Sequence, residues 1–271
     1  MVKVLVAQLA VVDGKPQVNI AKAVKIIMKY GDEVDFVVFP ELWTTGYDRE
    51  AIRKYAESVD DGWSVRVLSS LAREYGVNII STVPLREGER IYDASLLITH
   101  EGISGIYRKI HLFRPYRENE IFTAGKDLGL FETKLGKVGI AICYDLRFPE
   151  LFRALAMGGA EIIFVPASWG APRSIQWRAL LRGRAAENEV FLVGVNRVGR
   201  SNITKEEYSG DSSVYDPFGF EVVHLESTEN ATAVDIDLKR IAEVRKALPL
   251  WEDRRVDLYG LRTSWGIQDS R

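Results

Sequence analysis

The 271 residues of this chain include one cysteine, Cys143, and its position suits a reactive thiol. The apolar run in GIAICYDLRFPEL predicts a strand that stops at Cys143, and a helical pattern begins at Pro149. A thiol reacts as the thiolate, and the partial positive charge at a helix N-terminus lowers the pKa of a nearby thiol. The placement therefore predicts a nucleophile. The alternative is a small buried hydrophobic residue, which is the commoner role of an isolated cysteine.

Two charged residues elsewhere in the chain are candidate partners for this thiol. Glu41 follows an apolar strand and Pro40, which places its carboxylate at the carboxyl edge of a sheet, where α/β sites usually lie. A partly desolvated carboxylate there has a raised pKa and can accept a thiol proton near neutral pH. Lys109 stands between apolar neighbours at a strand edge and can hold negative charge that develops on a carbonyl oxygen. Glu41 also has a plainer interpretation as a helix cap or a surface charge.

Other polar residues near these positions have more than one interpretation. Glu118 and Glu120 share an acidic segment, and physical reasoning alone does not choose between them or exclude a solvated loop. Asp145 and Arg147, which flank the cysteine, are better interpreted as a turn brace or salt bridge than as an acid and a base. His111 follows the lysine strand and is interpreted as structural. With His100 and His224 it lacks the spacing of metal ligands, so no metal is expected. The sequence has neither a phosphate-binding glycine loop nor a dinucleotide fingerprint, so no cofactor is expected.

The elements that must position these residues alternate along the chain. Apolar runs bounded by turn residues predict strands at 2–9, 34–39, 77–83, 91–99, 102–107, 138–142, 161–165, 190–195, 212–215, 221–225 and 231–236. Apolar stripes of helical period predict helices at 16–30, 63–75, 149–157, 174–187 and 238–248. Because several strands are apolar at every position, we expect their sheets to be buried on both faces.

Two segments resemble each other: FVVFPELW at 36–43 and IIFVPASW at 162–169. Each predicts a buried strand that ends at proline and continues into a loop with a tryptophan. The likeness favours two similar halves in an α/β fold, a four-layer α-β-β-α sandwich with two mostly buried β-sheets. A single doubly wound sheet is the alternative. We expect one domain over residues 1–271, with 250–271 as a C-terminal tail that packs on a neighbouring subunit or, equally, stays solvated.

Composition narrows the class of protein. With 46% hydrophobic and 27% charged residues the chain can bury a large core, and its net charge of −2 argues against a nucleic-acid surface. No apolar run reaches the roughly 20 residues that cross a bilayer, and the opening apolar stretch is short for a secretory signal. A single cysteine excludes an intramolecular disulfide, which fits a reducing cytoplasm.

Three ordered segments give the chain a resemblance to a known family. They are FPE at 39–41 with TGY at 45–47, YRKIHL at 107–112, and ICYDLRFPE at 142–150. Together they resemble the signature segments of the nitrilase superfamily of carbon-nitrogen hydrolases, over nearly the whole length of the chain. The family's Glu-Lys-Cys triad falls on Glu41, Lys109 and Cys143. Its frequent second glutamate falls on Glu118, seven residues before Gly125, and not on Glu120.

The resemblance implies acyl transfer through a thioester. Glu41 is expected to take the thiol proton, and Lys109 with the backbone N–H of Tyr144 is expected to hold the oxyanion. Tyr47 and Trp169 are expected to contact the substrate, a small-molecule amide or nitrile that reacts with water. The family also implies a homodimer or a higher homo-oligomer in the cytoplasm, without nucleic acid or membrane partners.

The closest likeness is to the ω-amidase-like branch, which hydrolyses small aliphatic amides. The chain departs from that branch in the loop 167–170, where Trp169 is bulky. An arginine in the helix around 178–184 is a candidate for binding a distal carboxylate, although surface arginines are the commoner explanation. A true nitrilase or an N-carbamoyl amidase with the same triad, and a catalytically silent interaction protein, are the alternatives.

Overall fold

Strands with apolar residues on both faces build two six-stranded sheets, as described for residues 1–260 and residue 266 in the computed structural model. The strands are β1 (Val2–Gln8), β2 (Phe36–Val38), β3 (Asn78–Glu87), β4 (Arg90–Thr99), β5 (Gly102–Arg108), β6 (Gly129–Thr133), β7 (Gly136–Ile140), β8 (Ile162–Ala167), β9 (Phe191–Asn196), β10 (Val198–Arg200), β11 (Glu207–Ser209), β12 (Ser213–Tyr215), β13 (Glu221–His224) and β14 (Asn230–Ile236). The first sheet has the order β14-β1-β2-β3-β4-β5 and the second the order β13-β12-β9-β8-β7-β6. Strands β10 and β11 form a separate two-stranded ribbon.

Helices lie along the outer faces of the sheets and in the connections between strands. They are α1 (Pro16–Tyr30), α2 (Arg49–Tyr55), α3 (Trp63–Tyr75), α4 (Pro149–Met157), α5 (Ser174–Asn188), α6 (Lys239–Ala247) and α7 (Val256–Tyr259). The observed bounds of α1, α3 and α4 are those predicted from the sequence. Each of these helices has a clear start or stop signal, proline at the first turn of α1 and α4 and a left-handed glycine, Gly76, after α3.

The four-layer sandwich expected from the sequence is confirmed by the alternation of side chains in the first sheet. Val4 and Val6 of β1 face the second sheet, whereas Leu5 belongs to the core beneath α1 and α3. The rings of Phe36 and Phe164 meet between the sheets with centroids 5.2 Å apart. The alternative of a single doubly wound sheet is therefore wrong, because both faces of each sheet are covered by different partners.

Both sheets place a parallel group of strands at their centre. Strands β1, β2 and β3 are parallel in the first sheet, and β7, β8 and β9 are parallel in the second. The carboxyl ends of β2 and β8 meet, since Ser168 N–H donates to Glu41 Oε2 at 2.8 Å and Ser168 Oγ donates to the Glu41 carbonyl at 3.1 Å. The two similar sequence segments are thus brought together at one edge.

The sequence prediction differs from the structure most at the cysteine. Strand β7 ends at Ile140, whereas the prediction carried the strand through residue 142. The N–H of Ile142 donates to Asp145 Oδ2 at 2.8 Å, so a side chain takes the donor that a longer strand would use in its ladder. A 3-10 turn at Cys143–Arg147 follows and separates the strand from α4.

Short elements escaped the sequence analysis. Strand β6 is an edge strand of five residues that begins with glycine, which weakens its apolar pattern. The ribbon strands β10 and β11 have three residues each, which is too short for a periodic signal. Helix α2 was also missed, although aspartate is a common residue at the N-cap of a helix. The Asp48 carboxylate caps α2 by accepting from the N–H groups of Glu50 and Ala51 at 3.0 Å.

The C-terminal segment is described only in part. Residues 261–265 and 267–271 lie outside the described residues, so that part of the predicted tail is not covered. Before them, Trp251 packs against the core of its own chain, beneath Arg153 and Arg245, whose guanidinium carbons lie 5.1 and 5.6 Å from the ring centroid. Within the described part of the chain, no helix has the length and apolarity needed to cross a membrane.

Candidate active site

Glu41 begins a tight loop at the carboxyl end of β2. Leu42, the next residue, has a left-handed φ of 47°, and its carbonyl accepts from the N–H groups of Thr45 and Gly46 at 3.2 and 2.7 Å. These bonds close the loop on itself, and the Ser168 N–H fixes the Glu41 carboxylate from the other half of the fold. The glutamate is therefore held by backbone groups of both halves.

Cys143 lies at the start of the 3-10 turn that follows β7. Its φ of 45° is left-handed, a conformation that costs a non-glycine residue strain and that recurs at functional sites. The first hydrogen bond of the turn joins the Asp145 N–H to the Ile142 carbonyl at 2.9 Å. The N–H of Tyr144 precedes this bond, so the turn itself offers that donor no carbonyl.

Asp145 braces the turn that carries the cysteine. Its carboxylate accepts from the Tyr107 hydroxyl at 2.7 Å and from the backbone N–H groups of Ile142 and His111 at 2.8 and 3.1 Å. The His111 ring contacts the same carboxylate at 2.7 Å and stacks on Phe148 at a centroid distance of 3.6 Å. Asp145 therefore serves as the turn brace expected from the sequence, and His111 has a structural role.

Lys109 lies immediately after β5 at the centre of a group of buried carboxylates. Its Nζ lies 2.5 Å from Glu41 Oε1, 2.9 Å from Glu118 Oε1 and 3.3 Å from Asp93 Oδ2. All four side chains are 0–1% exposed. We call Glu41, Asp93, Lys109 and Glu118 the inner cluster. Asp93 was not singled out by sequence reasoning, and its only signal there was a charge within the apolar strand β4.

The structure separates Glu118 from Glu120. Glu118 is buried and accepts from the Tyr47 hydroxyl and the Phe113 N–H, each at 2.7 Å, as well as from Lys109. Glu120 lies at the surface and pairs with Arg49 and Arg117. A left-handed turn at Arg117, with φ of 56°, directs the two neighbouring glutamates to these different surroundings.

The inner cluster has the spacing of a cation site. Glu41, Asp93 and Glu118 each offer one oxygen within 4.8 Å of the others. The Lys109 ammonium already stands among these oxygens and contacts all three residues. The carboxylates therefore act as partners of Lys109, and we do not assign them as metal ligands.

The pKa of Glu41 differs from the sequence expectation. Burial raises the pKa of Glu41, as expected, but the charge of Lys109 and the hydrogen bond from its ammonium lower it by more. The net shift is downward, so the expected raised pKa is wrong. The same carboxylates outweigh burial at Lys109 and raise the pKa of its ammonium well above the ordinary value. Glu41 and Lys109 are thus both charged in the resting site.

The predicted activation of Cys143 by a helix N-terminus is also wrong. Burial raises the pKa of the Cys143 thiol well above its ordinary value, and the charge of Glu41 adds to this rise while Lys109 opposes it. Helix α4 begins only at Pro149, beyond the intervening 3-10 turn. The resting cysteine is therefore a neutral thiol beside an ionised carboxylate, an arrangement that suits proton transfer during attack.

A cavity of about 280 Å³, including its open mouth, leads from solvent to the cysteine. Its lining consists mainly of aromatic and cationic side chains: Tyr47, Phe113, Tyr116, Cys143, Tyr144, Arg147, Ser168, Trp169 and Arg173. Tyr47 and Trp169, the two residues expected to contact substrate, both line it. The cavity is narrow beside Cys143 and leaves little room for a polymer.

Two arginines stand at the outer part of this cavity, which we call the pocket mouth and define as Arg147, Trp169 and Arg173. Arg147 donates to Gln176 Oε1 at 2.8 Å and lies 4.6 Å from the centre of the Trp169 ring. Arg173 forms an ion pair with Glu206. The Trp169 indole N–H donates to the Arg173 carbonyl at 2.8 Å, so the three residues form one wall.

A model of the carbon-nitrogen hydrolase family matches residues 3–246. The chain belongs to the carbon-nitrogen hydrolase family. This confirms the resemblance drawn from the three sequence segments, and as a member the chain is an enzyme of this hydrolase class.

Relatives of this hydrolase include named amidases and a nitrilase. The chain is 38% identical over 249 residues to the 2-oxoglutaramate amidase of Bacillus subtilis, which covers 91% of this chain and 95% of that protein. It is 32% identical to the omega-amidase NIT2 of Danio rerio, covering 90% and 92%, and 34% identical to a nitrilase of Pyrococcus abyssi, covering 96% and 99%. The crystal structure of XC1258 from Xanthomonas campestris matches with a TM-score of 0.88 at 30% identity, covering 98% and 99%.

The structure revises which arginines of the hydrolase face its cavity. The sequence pointed to the helix around 178–184, yet Arg178 and Arg182 are exposed on α5 and Arg184 donates to the Leu146 carbonyl at 3.2 Å. Arg147 and Arg173 line the cavity instead. Arg147 was expected to brace the turn or form a salt bridge, but its guanidinium donates to Gln176 and lies over the Trp169 ring. Arg173 follows an irregular loop whose direction the sequence does not reveal.

Proposed function

We propose that this hydrolase is an amidase that cleaves a small aliphatic amide to a carboxylic acid and ammonia through a thioester on Cys143. The observation that carries the proposal is the placement of Cys143 on the cavity together with the buried Glu41 carboxylate that Lys109 and Ser168 hold. The lowered pKa of Glu41 and the raised pKa of the thiol agree with a carboxylate that accepts the thiol proton. Such a pair is built for nucleophilic attack assisted by a general base. Glu41, Lys109, Cys143 and Glu118 are the proposed catalytic and supporting residues.

The first step forms the bond between sulfur and carbon. The Cys143 sulfur attacks the amide carbon as Glu41 accepts the thiol proton, and the carbonyl electron pair moves to the oxygen. The lowered pKa of Glu41 keeps it ready as an acceptor, and the raised pKa of the thiol means that the proton moves only as attack proceeds. Free thiolate is therefore not stored at rest.

The oxyanion formed in this step requires donors that are already in place. The Lys109 ammonium and the backbone N–H of Tyr144 are the proposed donors, each worth about 3 kcal/mol when aimed at the developing charge. Glu118 accepts from Lys109, the Tyr47 hydroxyl and the Phe113 N–H, which holds the ammonium through a second carboxylate beside Glu41. Glu118 is thus proposed as a positioning residue for Lys109.

Ammonia leaves in the second step. Glu41 returns its proton to the nitrogen, the carbon–nitrogen bond breaks with its electron pair moving to nitrogen, and the thioester remains. A water molecule then attacks the thioester while Glu41 accepts its proton. The carbon–sulfur bond breaks, the carboxylic acid departs and Cys143 regains its proton from Glu41.

The pocket mouth favours an amide that carries a distal carboxylate. Arg147 is half-buried, and no carboxylate pairs with it within the described part of the chain, whereas Arg173 is already paired with Glu206. A guanidinium in a small aromatic cavity is suited to bind a carboxylate through two hydrogen bonds. One relative is named for 2-oxoglutaramate, a molecule with both an amide and a carboxylate.

The test is ammonia release from matched substrates. Wild type and Cys143→Ala are compared on succinamate, on butyramide as the uncharged counterpart of the same chain length, and on a nitrile and an N-carbamoyl compound. We expect release from succinamate with wild type only. Release from the nitrile or the N-carbamoyl compound alone would reassign the reaction to the corresponding alternative. No release from any compound, with Cys143 also unreactive toward a thiol probe, would favour a silent interaction protein.

We also propose that the enzyme acts in the cytoplasm and self-associates, with residues 250–271 packing on a neighbouring subunit. A reducing compartment suits a mechanism that needs the free thiol of Cys143. Leu258 and Tyr259 are adjacent in the tail and 71% and 60% exposed, so they present an apolar surface that a neighbouring subunit would cover. Light scattering on wild type and on a Leu258→Ser, Tyr259→Ser variant tests this, and a monomeric wild type would overturn it.

A further inference from the structure

Asp93 is a buried carboxyl group for which the mechanism above has no role. It lies in β4, its side chain is fully buried, and its Oδ2 is 3.3 Å from the Lys109 ammonium. Its backbone carbonyl accepts from the Lys109 N–H at 2.9 Å, so strand pairing holds the aspartate beside the lysine. The titratable and charged groups that surround it are Glu41, Lys109, Glu118 and Tyr47.

The carboxyl groups of the inner cluster differ in their hydrogen-bond donors. Glu41 accepts from Lys109 and the Ser168 N–H, and Glu118 accepts from Lys109, Tyr47 and the Phe113 N–H. Neither oxygen of Asp93 has a hydrogen-bond donor among the described residues, and both oxygens are buried. An ionised carboxylate without donors is costly in such surroundings, whereas a protonated one is not.

The net charge of the inner cluster also indicates that Asp93 carries a proton. Three ionised carboxylates beside one ammonium would leave two uncompensated negative charges in a site without exposed surface. Burial raises the pKa of Asp93 well above its ordinary value, and the charges of Glu41 and Glu118 add to the rise against the opposing charge of Lys109. A proton on Asp93 removes one of the two excess charges.

We propose that Asp93 is held as a neutral carboxylic acid whose O–H donates a hydrogen bond to the Glu41 carboxylate, making Asp93 a positioning residue for the general base. One oxygen of each side chain lies within 4.8 Å of the other, and the Lys109 ammonium contacts both residues, so the two carboxyl groups are buried neighbours. The catalytic part of this inference rests on the proposed function of Glu41.

The neutral acid has two consequences for the reaction. It orients Glu41 with a third donor, beside those from Lys109 and the Ser168 N–H, so the carboxylate has one preferred direction toward the thiol. It also leaves the ammonium of Lys109 with one fewer anion to neutralise, and hence with more positive potential for the oxyanion. An ionised Asp93 would weaken both effects.

The experiment compares Asp93→Asn, which keeps a donor but cannot ionise, with Asp93→Ala, which has no donor. Ser95→Ala is the control, because Ser95 is also buried on β4 without a hydrogen-bond partner. We expect Asp93→Asn to retain succinamate turnover near the wild-type value. We expect Asp93→Ala to lower kcat/KM about 10- to 100-fold, as losing a hydrogen bond to a charged group implies.

Two further readouts report the proton itself. Infrared difference spectra at neutral pH should show the carbonyl band of a protonated carboxylic acid in wild type and in Ser95→Ala, and should lose it in Asp93→Asn. The alkaline decline of the wild-type pH–rate profile, which begins where Asp93 ionises beside Glu41, should move to higher pH in Asp93→Asn. The infrared measurement needs neither substrate nor the Asp93→Ala variant.

Several outcomes would overturn the inference. An infrared band that persists unchanged in Asp93→Asn would place the proton elsewhere, and a folded Asp93→Asn as slow as Asp93→Ala would remove the donor role. Turnover in Asp93→Ala equal to wild type would do the same. If wild type hydrolyses none of the amides, the proposed function fails separately, and the infrared band still decides where the proton lies.

Discussion

The inner cluster and the pocket mouth face the same cysteine but are built in opposite ways. The inner cluster comes from the first sheet and its connections, and its four side chains are 0–1% exposed. The pocket mouth comes from segments of the second half of the chain, and its two arginines are partly exposed. Deep burial strengthens electrostatic interactions, whereas partial exposure allows water to screen them. We infer that the inner cluster determines the chemistry and the mouth determines which acyl group enters.

This contrast makes the inner cluster intolerant of change and the mouth adjustable. Removing one charge inside leaves partners that neither water nor another residue can compensate. At the mouth, Arg147 and Arg173 each contact a neutral or charged neighbour that remains partly solvated. Substitutions that remove an ionised group or a hydrogen-bond donor should therefore reduce kcat for every substrate in the first region, whereas Asp93→Asn keeps a donor and should not. Substitutions in the second region should change KM for charged substrates.

The largest effect is expected for Glu41→Gln. The amide has almost the same shape but cannot accept the thiol proton, so we expect kcat to fall about 10²- to 10⁴-fold on succinamate and butyramide alike. Ammonia release measures the loss, and circular dichroism checks the fold. The double variant with Cys143→Ala should be no slower than the slower single variant, because groups that act as a unit are not additive. A loss confined to succinamate would contradict the assignment of Glu41 to the chemistry.

A smaller loss is expected for Glu118→Gln. The amide oxygen still accepts from one donor, but the charge that holds Lys109 is gone, so we expect turnover to fall about 10- to 100-fold while the fold persists. Glu120→Gln is the matched control, since Glu120 lies at the surface two residues away. Equal activity in Glu118→Gln and Glu120→Gln would remove the positioning role of Glu118.

The third prediction concerns Arg147→Gln. We expect KM for succinamate to rise about tenfold, because a half-buried guanidinium loses its charge-assisted hydrogen bonds to the substrate. KM for butyramide and kcat for both substrates should stay the same. Arg178→Gln serves as the control, because Arg178 is exposed on α5 and does not line the cavity. An equal rise in KM for butyramide would show that Arg147 affects the shape of the cavity and does not bind the substrate carboxylate.

A still smaller effect is expected for Trp169→Phe. The phenylalanine ring keeps an aromatic face beside Arg147 but lacks the indole N–H that donates to the Arg173 carbonyl in wild type. One neutral hydrogen bond corresponds to about 0.5–1.5 kcal/mol, so KM for succinamate should rise roughly two- to tenfold. The control is Trp63→Phe at an exposed tryptophan. A loss in kcat equal to that of Glu118→Gln would erase the division between the two regions.

The last prediction needs no loss of activity. Because the pKa of the Cys143 thiol is raised, its alkylation by iodoacetamide should be slow at neutral pH and should increase with pH, with a midpoint above the ordinary 9.0. Glu41→Gln removes a charge that raises this pKa, so its midpoint should lie lower than that of wild type. A plateau of fast labelling below pH 9.0 in wild type would point to a stored thiolate and against general-base activation.

The sequence correctly predicted the helices that have strong local start or stop signals. The bounds of α1, α3 and α4 follow from proline at a first turn or glycine after a last turn, together with a helical apolar stripe. The two similar segments, 36–43 and 162–169, correctly indicated two halves, although the strand of the second continues past its proline to Ala167. The path of the chain between Ile140 and Pro149 could not be predicted. The N–H of Ile142 donates to the Asp145 carboxylate instead of to a neighbouring strand, and the local sequence does not determine which acceptor it takes.

By itself, the sequence determined the residue types available for chemistry, the two apolar halves that must pack together, and the family. The first two depend on local pattern and composition, and the family follows from the resemblance of three ordered segments. Only the tertiary structure decided that Asp93 joins Lys109, that Arg147 and Arg173 face the cavity, and that Glu41 has a lowered pKa. Each of these depends on residues far apart in the chain meeting in a buried place, where distance and desolvation set the energies.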